Sequence, residues 1–108
     1  MFAANLFNNK IILVTGGRSG IGYAIAASFL HYGAEVYIAS RKKEPLEIAA
    51  KELSKLGQCH AIACDIREPE EIDKLAQQIR EKSGRLDILI NNAGGQFPAP
   101  AHIVAEKG

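Results

Sequence analysis

The feature that most constrains this chain is the run Lys10-Ile-Ile-Leu-Val-Thr15, which passes directly into Gly16-Gly17. A short, β-branched, uninterrupted apolar run reads as a strand covered on both faces, the signature of a parallel sheet rather than of a half-solvated one. The glycines at its end let the backbone turn sharply into a helix. Ser19 stands where a side-chain cap belongs, Ile21, Ile25, Ser28, Phe29 and Tyr32 recur at helical spacing, and Gly33 occupies the place of a left-handed C-terminal residue.

The same unit then repeats. Glu35-Val-Tyr-Ile-Ala39 is predicted as a second strand. The helix after it has Pro45 in its first turn, Leu46, Ala49, Ala50, Leu53 and Leu56 on one face, and Gly57 at its end. His60-Ala-Ile-Ala-Cys64 is the third strand. Pro69 opens a further helix with Ile72, Leu75, Ala76 and Ile79 as its stripe, Arg80 and Lys82 in its last turn, and Gly84 after it. Leu86-Asp-Ile-Leu-Ile90 is the fourth strand, and Asn91 to Pro100 reads as loop. Strands alternating with amphipathic helices specify an α/β fold: a parallel sheet with right-handed crossovers and helices on both faces. The expected order is 3-2-1-4, which puts a topological switch between strands one and four. Ligands bind at the carboxyl ends of strands at such a point, and both glycine-rich segments fall there.

Bulk properties narrow the classes. At 108 residues the chain is one domain at most, and 47% hydrophobic with 23% charged residues is ordinary globular composition. The apolar stretches are too short to span a bilayer. A net charge of +1 with interspersed signs gives no field to recruit nucleic acid or an anionic membrane, so any anion site is local. Cys59 and Cys64 flank one strand without a second Cys or His pair at metal-ligand spacing, and are expected as free thiols in a reducing compartment. His31, His60 and His102 share no spacing that suggests a triad or a metal site. The residues from Met1 to Asn9 carry neither a basic cluster nor a long apolar run, so no signal or transit peptide is expected. A cytoplasmic location is expected, or a peroxisomal one in a eukaryote.

Chemistry concentrates at the carboxyl edge. In Thr15-Gly-Gly-Arg-Ser-Gly-Ile-Gly22 the spacing is G-x-x-x-G-x-G, and Gly16, Gly20 and Gly22 let backbone N–H groups approach a pyrophosphate at the helix N-terminus. Where NAD-binding relatives of this architecture place a carboxylate for the ribose 2′-hydroxyl, this chain has Ala39-Ser40-Arg41. Arg41 can pair with 2′-phosphate oxygens, Ser40 can donate a hydroxyl hydrogen bond, and Arg18 can approach from the glycine loop, so NADP(H) is expected over NAD(H). Lys42 and Lys43 read as the solvated start of a helix. Asp65, with the Ile66 N–H, either receives an adenine edge or starts the turn toward Pro69. Asn91-Asn-Ala-Gly94 either lets a nicotinamide ribose come close or supplies turn geometry.

Taken in order and spacing, the glycine segment, Asp65 and Asn91-Asn-Ala-Gly94 resemble the cofactor motifs of the short-chain dehydrogenase/reductase family, over nearly the whole chain. The resemblance implies a Rossmann-like doubly wound fold, incomplete here because its later strands are missing. It further implies that residues 1–108 form the NADP(H)-binding βαβαβαβ half. By it, Gly16, Arg18, Ser19, Gly20, Ile21 and Gly22 face the pyrophosphate, Ser40 and Arg41 the 2′-phosphate, Asp65 and Ile66 the adenine, and Asn92, Ala93 and Gly94 the nicotinamide ribose. Ile38-Ala-Ser-Arg41, Cys64-Asp-Ile-Arg67, Asn92-Ala-Gly-Gly-Gln-Phe97, His102-Ile and Lys107-Gly108 are together similar to the NADPH-dependent trans-2-enoyl-CoA and 2,4-dienoyl-CoA reductase branch. That branch implies an acyl-CoA-type substrate and a homo-oligomeric parent.

One departure stands against the match. The family's Tyr-x-x-x-Lys has no counterpart: Tyr23, Tyr32 and Tyr37 are followed four residues on by Ala27, Val36 and Arg41. No catalytic residue is therefore expected among these 108, which read as a fragment or truncated coding sequence in which the fourth strand has an open edge and the fold is marginally stable. Two other readings remain: a non-catalytic module that senses NADP(H), and an inactive remnant.

Overall fold

The computed structural model describes residues 6–16 and 20–92, and the backbone of residues 102–105. Five strands and three helices follow one another as β1 (Ile11–Thr15), α1 (Gly20–His31), β2 (Glu35–Ser40), α2 (Lys43–Leu53), β3 (Cys59–Ala63), α3 (Pro69–Ser83), β4 (Ile88–Asn91) and β5 (His102–Ala105). The sheet order is β3-β2-β1-β4-β5, with the first four strands parallel, as the alternation predicts. β1 lies at the centre, and all five of its residues are buried, so its uninterrupted apolar character matches its place in the sheet.

Pleating divides the core between two faces. Ile12, Val14, Val36 and Ile38 pack with Ala26 and Leu30 of α1 and with Leu46, Ala49 and Leu53 of α2. Ile11, Leu13 and Tyr37 point the other way, against Leu75, Ala76 and Ile79 of α3. Helices therefore cover both faces, which makes the fold doubly wound. Tyr37 is buried deeply on the α3 side, and its hydroxyl shares a 2.9 Å hydrogen bond with the Ser83 Oγ. Gly84 ends α3 in the left-handed conformation at φ 82°, and Pro69 opens that helix, both as expected.

Four details differ from the sequence expectations. In α1 the buried positions are Gly22, Ala26 and Leu30, whereas Ile21 is 68% exposed. The helix turns its smallest side chains to the sheet because its first turn presses on the β1–α1 loop, and Ile25 and Phe29 flank the contact. Leu56 lies beyond the end of α2 and is half exposed. β3 begins and ends one residue earlier than expected. β4 runs Ile88–Asn91 rather than Leu86–Ile90, because Asp87 replaces part of the ladder with its side chain: its Oδ2 accepts the Ile11 N–H at 2.8 Å while its own N–H donates to the Ile11 carbonyl at 2.9 Å.

The expected open edge of the fourth strand is also corrected. β5 pairs antiparallel with β4, Ile88 opposite Ala105 and Asn91 opposite His102, so the segment after the loop folds back onto β4. The sheet is mixed at that edge. No sequence signal separates a run of four such residues from loop, because it is shorter than a typical strand and lies beside Pro98 and Pro100. Cys59 is buried and Cys64 partly so, and neither forms a disulfide. Burial pushes the Cys59 thiol up to about 11. No helix among the described residues is long and apolar enough to cross a membrane.

The Asp87 junction ties the start of β1 to the start of β4 and carries its own pH dependence. Its carboxylate also accepts the Arg85 guanidinium, at 3.0 Å from Nε. Partial burial alone raises its pKa, yet hydrogen bonds from Arg85 and from Ile11 outweigh that and hold the carboxyl below its ordinary value of 3.8. A depressed folded-state pKa means that this contribution is full above the ordinary carboxyl range and is lost as the pH falls through the lower folded-state value. Asp87→Ala is expected to cost about 1.5–3 kcal/mol at neutral pH by urea denaturation, as for a removed acceptor of charge-assisted hydrogen bonds. The difference from the parent chain should shrink as the pH falls through the lowered folded-state value. A deficit that stays the same across the acid range would contradict this account.

Candidate functional site

The carboxyl ends of β1, β2, β3 and β4 meet where the chain order reverses, and the described candidate residues collect along that edge. Gly16 leaves β1 with its N–H donating to the Ala39 carbonyl at 2.6 Å, so the sheet ladder continues one residue into the loop. Its φ of 71° is a backbone region costly for any residue with a side chain. A Cβ there would also run into the Asn92 carbonyl oxygen. Gly22, one turn into α1, is closer still: a Cβ would overlap the Gly16 carbonyl oxygen and lie 2.9 Å from the Asn92 Nδ2. Gly16, Gly22 and Asn92 thus form one contact, in which the helix meets the backbone at the end of β1 and the Asn92 side-chain amide after β4.

Gly20 behaves differently. Its φ is 62°, and nothing lies within 4 Å of where its Cβ would stand. The first turn of α1 carries the amides of Gly20, Ile21 and Gly22, and the space beside Gly20 is open. Such an end carries partial positive charge and directed N–H donors, an arrangement suited to an anion. The chemistry of this turn fits a dinucleotide pyrophosphate: amides at a helix N-terminus, no carboxylate among residues 20–23, and no side chain at Gly20 to block approach.

A hydrogen bond that the sequence reading missed secures the floor of this edge. Thr15 is fully buried, and its Oγ1 donates to the Asn91 Oδ1 at 2.9 Å, with the Ile90 carbonyl oxygen 3.4 Å away. Thr15 pairs with Asn91 in the parallel register, so the two side chains meet on one face of adjacent strands. A polar residue at the end of each of two otherwise apolar strands was the available signal, legible only once β1 and β4 are known to be neighbours.

At the end of β2, Ser40 is 5% exposed and its Oγ accepts the Lys42 N–H at 3.4 Å. Arg41 is exposed, and its guanidinium makes no hydrogen bond among the described residues. No acidic residue directly follows β2 in the sequence, where Ser40 is succeeded by Arg41, Lys42 and Lys43. Asp65 follows β3 and serves the turn toward α3: its carbonyl accepts the Glu68 N–H at 3.1 Å and its Oδ1 the Arg67 N–H at 3.1 Å. The turn reading of Asp65 is thus realised, and the adenine reading concerns the same half-buried carboxylate. Ile66 is partly buried against the α3-side core. Arg18, Ser19, Ala93 and Gly94 lie outside the described residues. No group of three His, Cys, Asp or Glu among the described residues is placed to hold a metal ion.

A half-open cavity of about 340 Å³ lies at the opposite, amino edge, lined by Asn8, Asn9, Gly33, Glu35, Gly57 and Gln58. Glu35 beside it is engaged by His60, 2.7 Å from the His60 Nε2. Among the described residues, no helix N-terminus and no glycine-loop residue lines the cavity.

A sheet with four parallel strands, helices on both faces and a glycine-lined crevice at its switch point defines a dinucleotide-binding α/β domain. The sequence profile of the short chain dehydrogenase family matches residues 10–107, and the chain belongs to that family. It is 40% identical over 103 residues to the peroxisomal 2,4-dienoyl-CoA reductase of Danio rerio, covering 94% of this chain and 34% of the relative. Among solved structures it is similar to the Pseudomonas aeruginosa RhlG/NADP active-site complex, with 42% identity, a TM-score of 0.80, and coverage of 93% of this chain and 39% of that one. It is also similar to L-sorbose reductase from Gluconobacter frateurii, complexed with NADPH and L-sorbose, with 34% identity, a TM-score of 0.79, and coverage of 91% and 38%. The chain thus spans little more than a third of the length of these relatives. The expected similarity to the dienoyl-CoA reductase branch is borne out.

The two glycine roles separate experimentally. Gly22→Ala is expected to lose about 3 kcal/mol or more in urea unfolding, because the added methyl meets backbone that cannot yield. Gly20→Ala, with open space but a left-handed φ, should cost only about 1 kcal/mol. Equal losses for the two would refute the Gly22–Gly16 contact as described.

Proposed function

We propose that residues 1–108 are the NADP(H)-binding half of a short-chain dehydrogenase/reductase. The observation that carries this is the end of β2: Ser40-Arg41 stands where an acid would select NAD, within reach of the cradle at the start of α1. Gly16, Gly20, Ile21 and Gly22 hold the pyrophosphate by backbone, with Arg18 and Ser19 from the same loop. Arg41 pairs with the 2′-phosphate, and Ser40, whose oxygen already accepts the Lys42 N–H, keeps its hydroxyl hydrogen to donate. Asp65 and the Ile66 N–H border the adenine, and Asn92, Ala93 and Gly94 border the nicotinamide ribose.

When bound, the nicotinamide supplies the hydride; this chain's residues bind and orient the dinucleotide. No tyrosine here has a lysine four residues on, so the 108 residues are expected to bind cofactor without turnover. In the full-length parent the substrate is an acyl-CoA-type enone or dienone, a reading supported by relatives named 2,4-dienoyl-CoA reductase. The parent is read as a homo-oligomer in the cytoplasm, or in the peroxisome of a eukaryotic cell.

Equilibrium binding of NADPH and NADH to the purified chain, by nicotinamide fluorescence, tests the assignment. NADPH is expected to bind about tenfold or more tighter than NADH, and Arg41→Ala to remove most of that difference, as for the loss of one charge-assisted phosphate contact. Equal affinities in the parent chain would overturn the NADP(H) reading. A folded chain that binds neither cofactor would leave the inactive-remnant reading in its place.

A further inference from the structure

The Ser40-Arg41 site has an acidic neighbour that its chemistry must accommodate. Ser40 pairs with Ala63 in the β2–β3 register, and the Cys64 N–H donates to the Ser40 carbonyl at 2.9 Å. Asp65 is the next residue, so it stands on the same carboxyl edge as Arg41, whose charge acts on its carboxylate. A dianionic 2′-phosphate brought to Arg41 is repelled by that negative charge, whereas a neutral 2′-hydroxyl is not.

The carboxylate is not bare. Arg67 grips it with three donors: its backbone N–H and its Nε each at 3.1 Å from Oδ1, and its Nη2 at 3.1 Å from Oδ2. These hydrogen bonds, and to a lesser degree the charge of Arg41, hold the Asp65 carboxyl below its ordinary range, so it is ionised at neutral pH and its charge is felt at Arg41. The Arg67 side chain is 65% exposed, so as a surface ion pair it adds little to stability. Its fixed, two-pronged geometry instead places a cation over one particular anion.

Resting on the NADP(H) reading above, we propose that Arg67 is a specificity-determining residue that acts through Asp65: it neutralises the carboxylate next to the 2′-phosphate site and so preserves the preference for NADPH without touching the phosphate. The quantity that reports this is the ratio of the NADH to the NADPH dissociation constants, because changes in adenine binding cancel between the two cofactors. At low ionic strength Arg67→Ala is expected to lower that ratio about fivefold, from exposing one charge to a phosphate several ångströms away. Arg67→Lys, which keeps the charge, should retain most of it. Asp65→Asn placed in the Arg67→Ala background should bring the ratio back to within about twofold of the parent chain, since the charge that needed neutralising is gone. The thermal midpoint of Arg67→Ala should stay near the parent value.

An unchanged ratio in Arg67→Ala, with the parent chain still preferring NADPH, overturns this proposal alone. A lowered ratio that Asp65→Asn does not restore also overturns it, because Arg67 then acts on the phosphate directly. A parent ratio of one overturns the NADP(H) reading and this proposal with it.

Discussion

Everything at the carboxyl edge depends on one close approach: the first turn of α1 lies against the Gly16 carbonyl and the Asn92 amide with no room for a side chain between them. That contact sets how deeply the helix sits on the sheet, and so which residues it buries. With Gly22 at the contact, Ala26 and Leu30 follow at one-turn intervals onto the sheet, and Ile21 is left exposed at the crevice. The same contact sets the first turn of α1 against the ends of β1 and β4. The Thr15–Asn91 hydrogen bond below it keeps the two strand ends level.

The architecture was legible because its signals are redundant. Four apolar strands bounded by turns, three helices with end signals, and the glycine segment all point to one parallel order, and each supports the others. The start of β4 was not legible, because Asp87 satisfies Ile11 with a carboxylate, and side-chain substitution for a ladder bond leaves no trace in hydrophobic periodicity. The buried face of α1 was misplaced for a related reason. Large residues normally mark the core side of a helix, but here the fit to a neighbouring backbone requires the smallest ones there. β5 is four residues long and paired antiparallel at the edge, which neither alternation nor propensity announces.

The site divides in the same way. Backbone cradles depend on glycine and are readable, since glycines in a strand-to-helix turn have few other uses. Charge relations between strand ends are not readable until register is known. Arg41 and Asp65 are 24 positions apart in the sequence, and only the Ser40–Ala63 pairing makes them neighbours. Arg67, two residues beyond Asp65, resembles an ordinary helix-approach residue until its guanidinium is seen on the carboxylate. On the proposed reading, the selectivity of the edge is a sum over three side chains from two loops, and not a property of any one of them.

The central claim is that the dinucleotide binds at the carboxyl edge, on backbone amides at the start of α1. Amide chemical-shift mapping of the isotopically labelled chain during NADPH titration tests it most directly. The account predicts saturable shifts at Gly20, Ile21, Gly22, Ser40 and Arg41, with the amides around Gly33 and Gly57 at the amino edge unmoved. Shifts centred on the amino-edge cavity, or saturation with no change at Gly20 to Gly22, would contradict it.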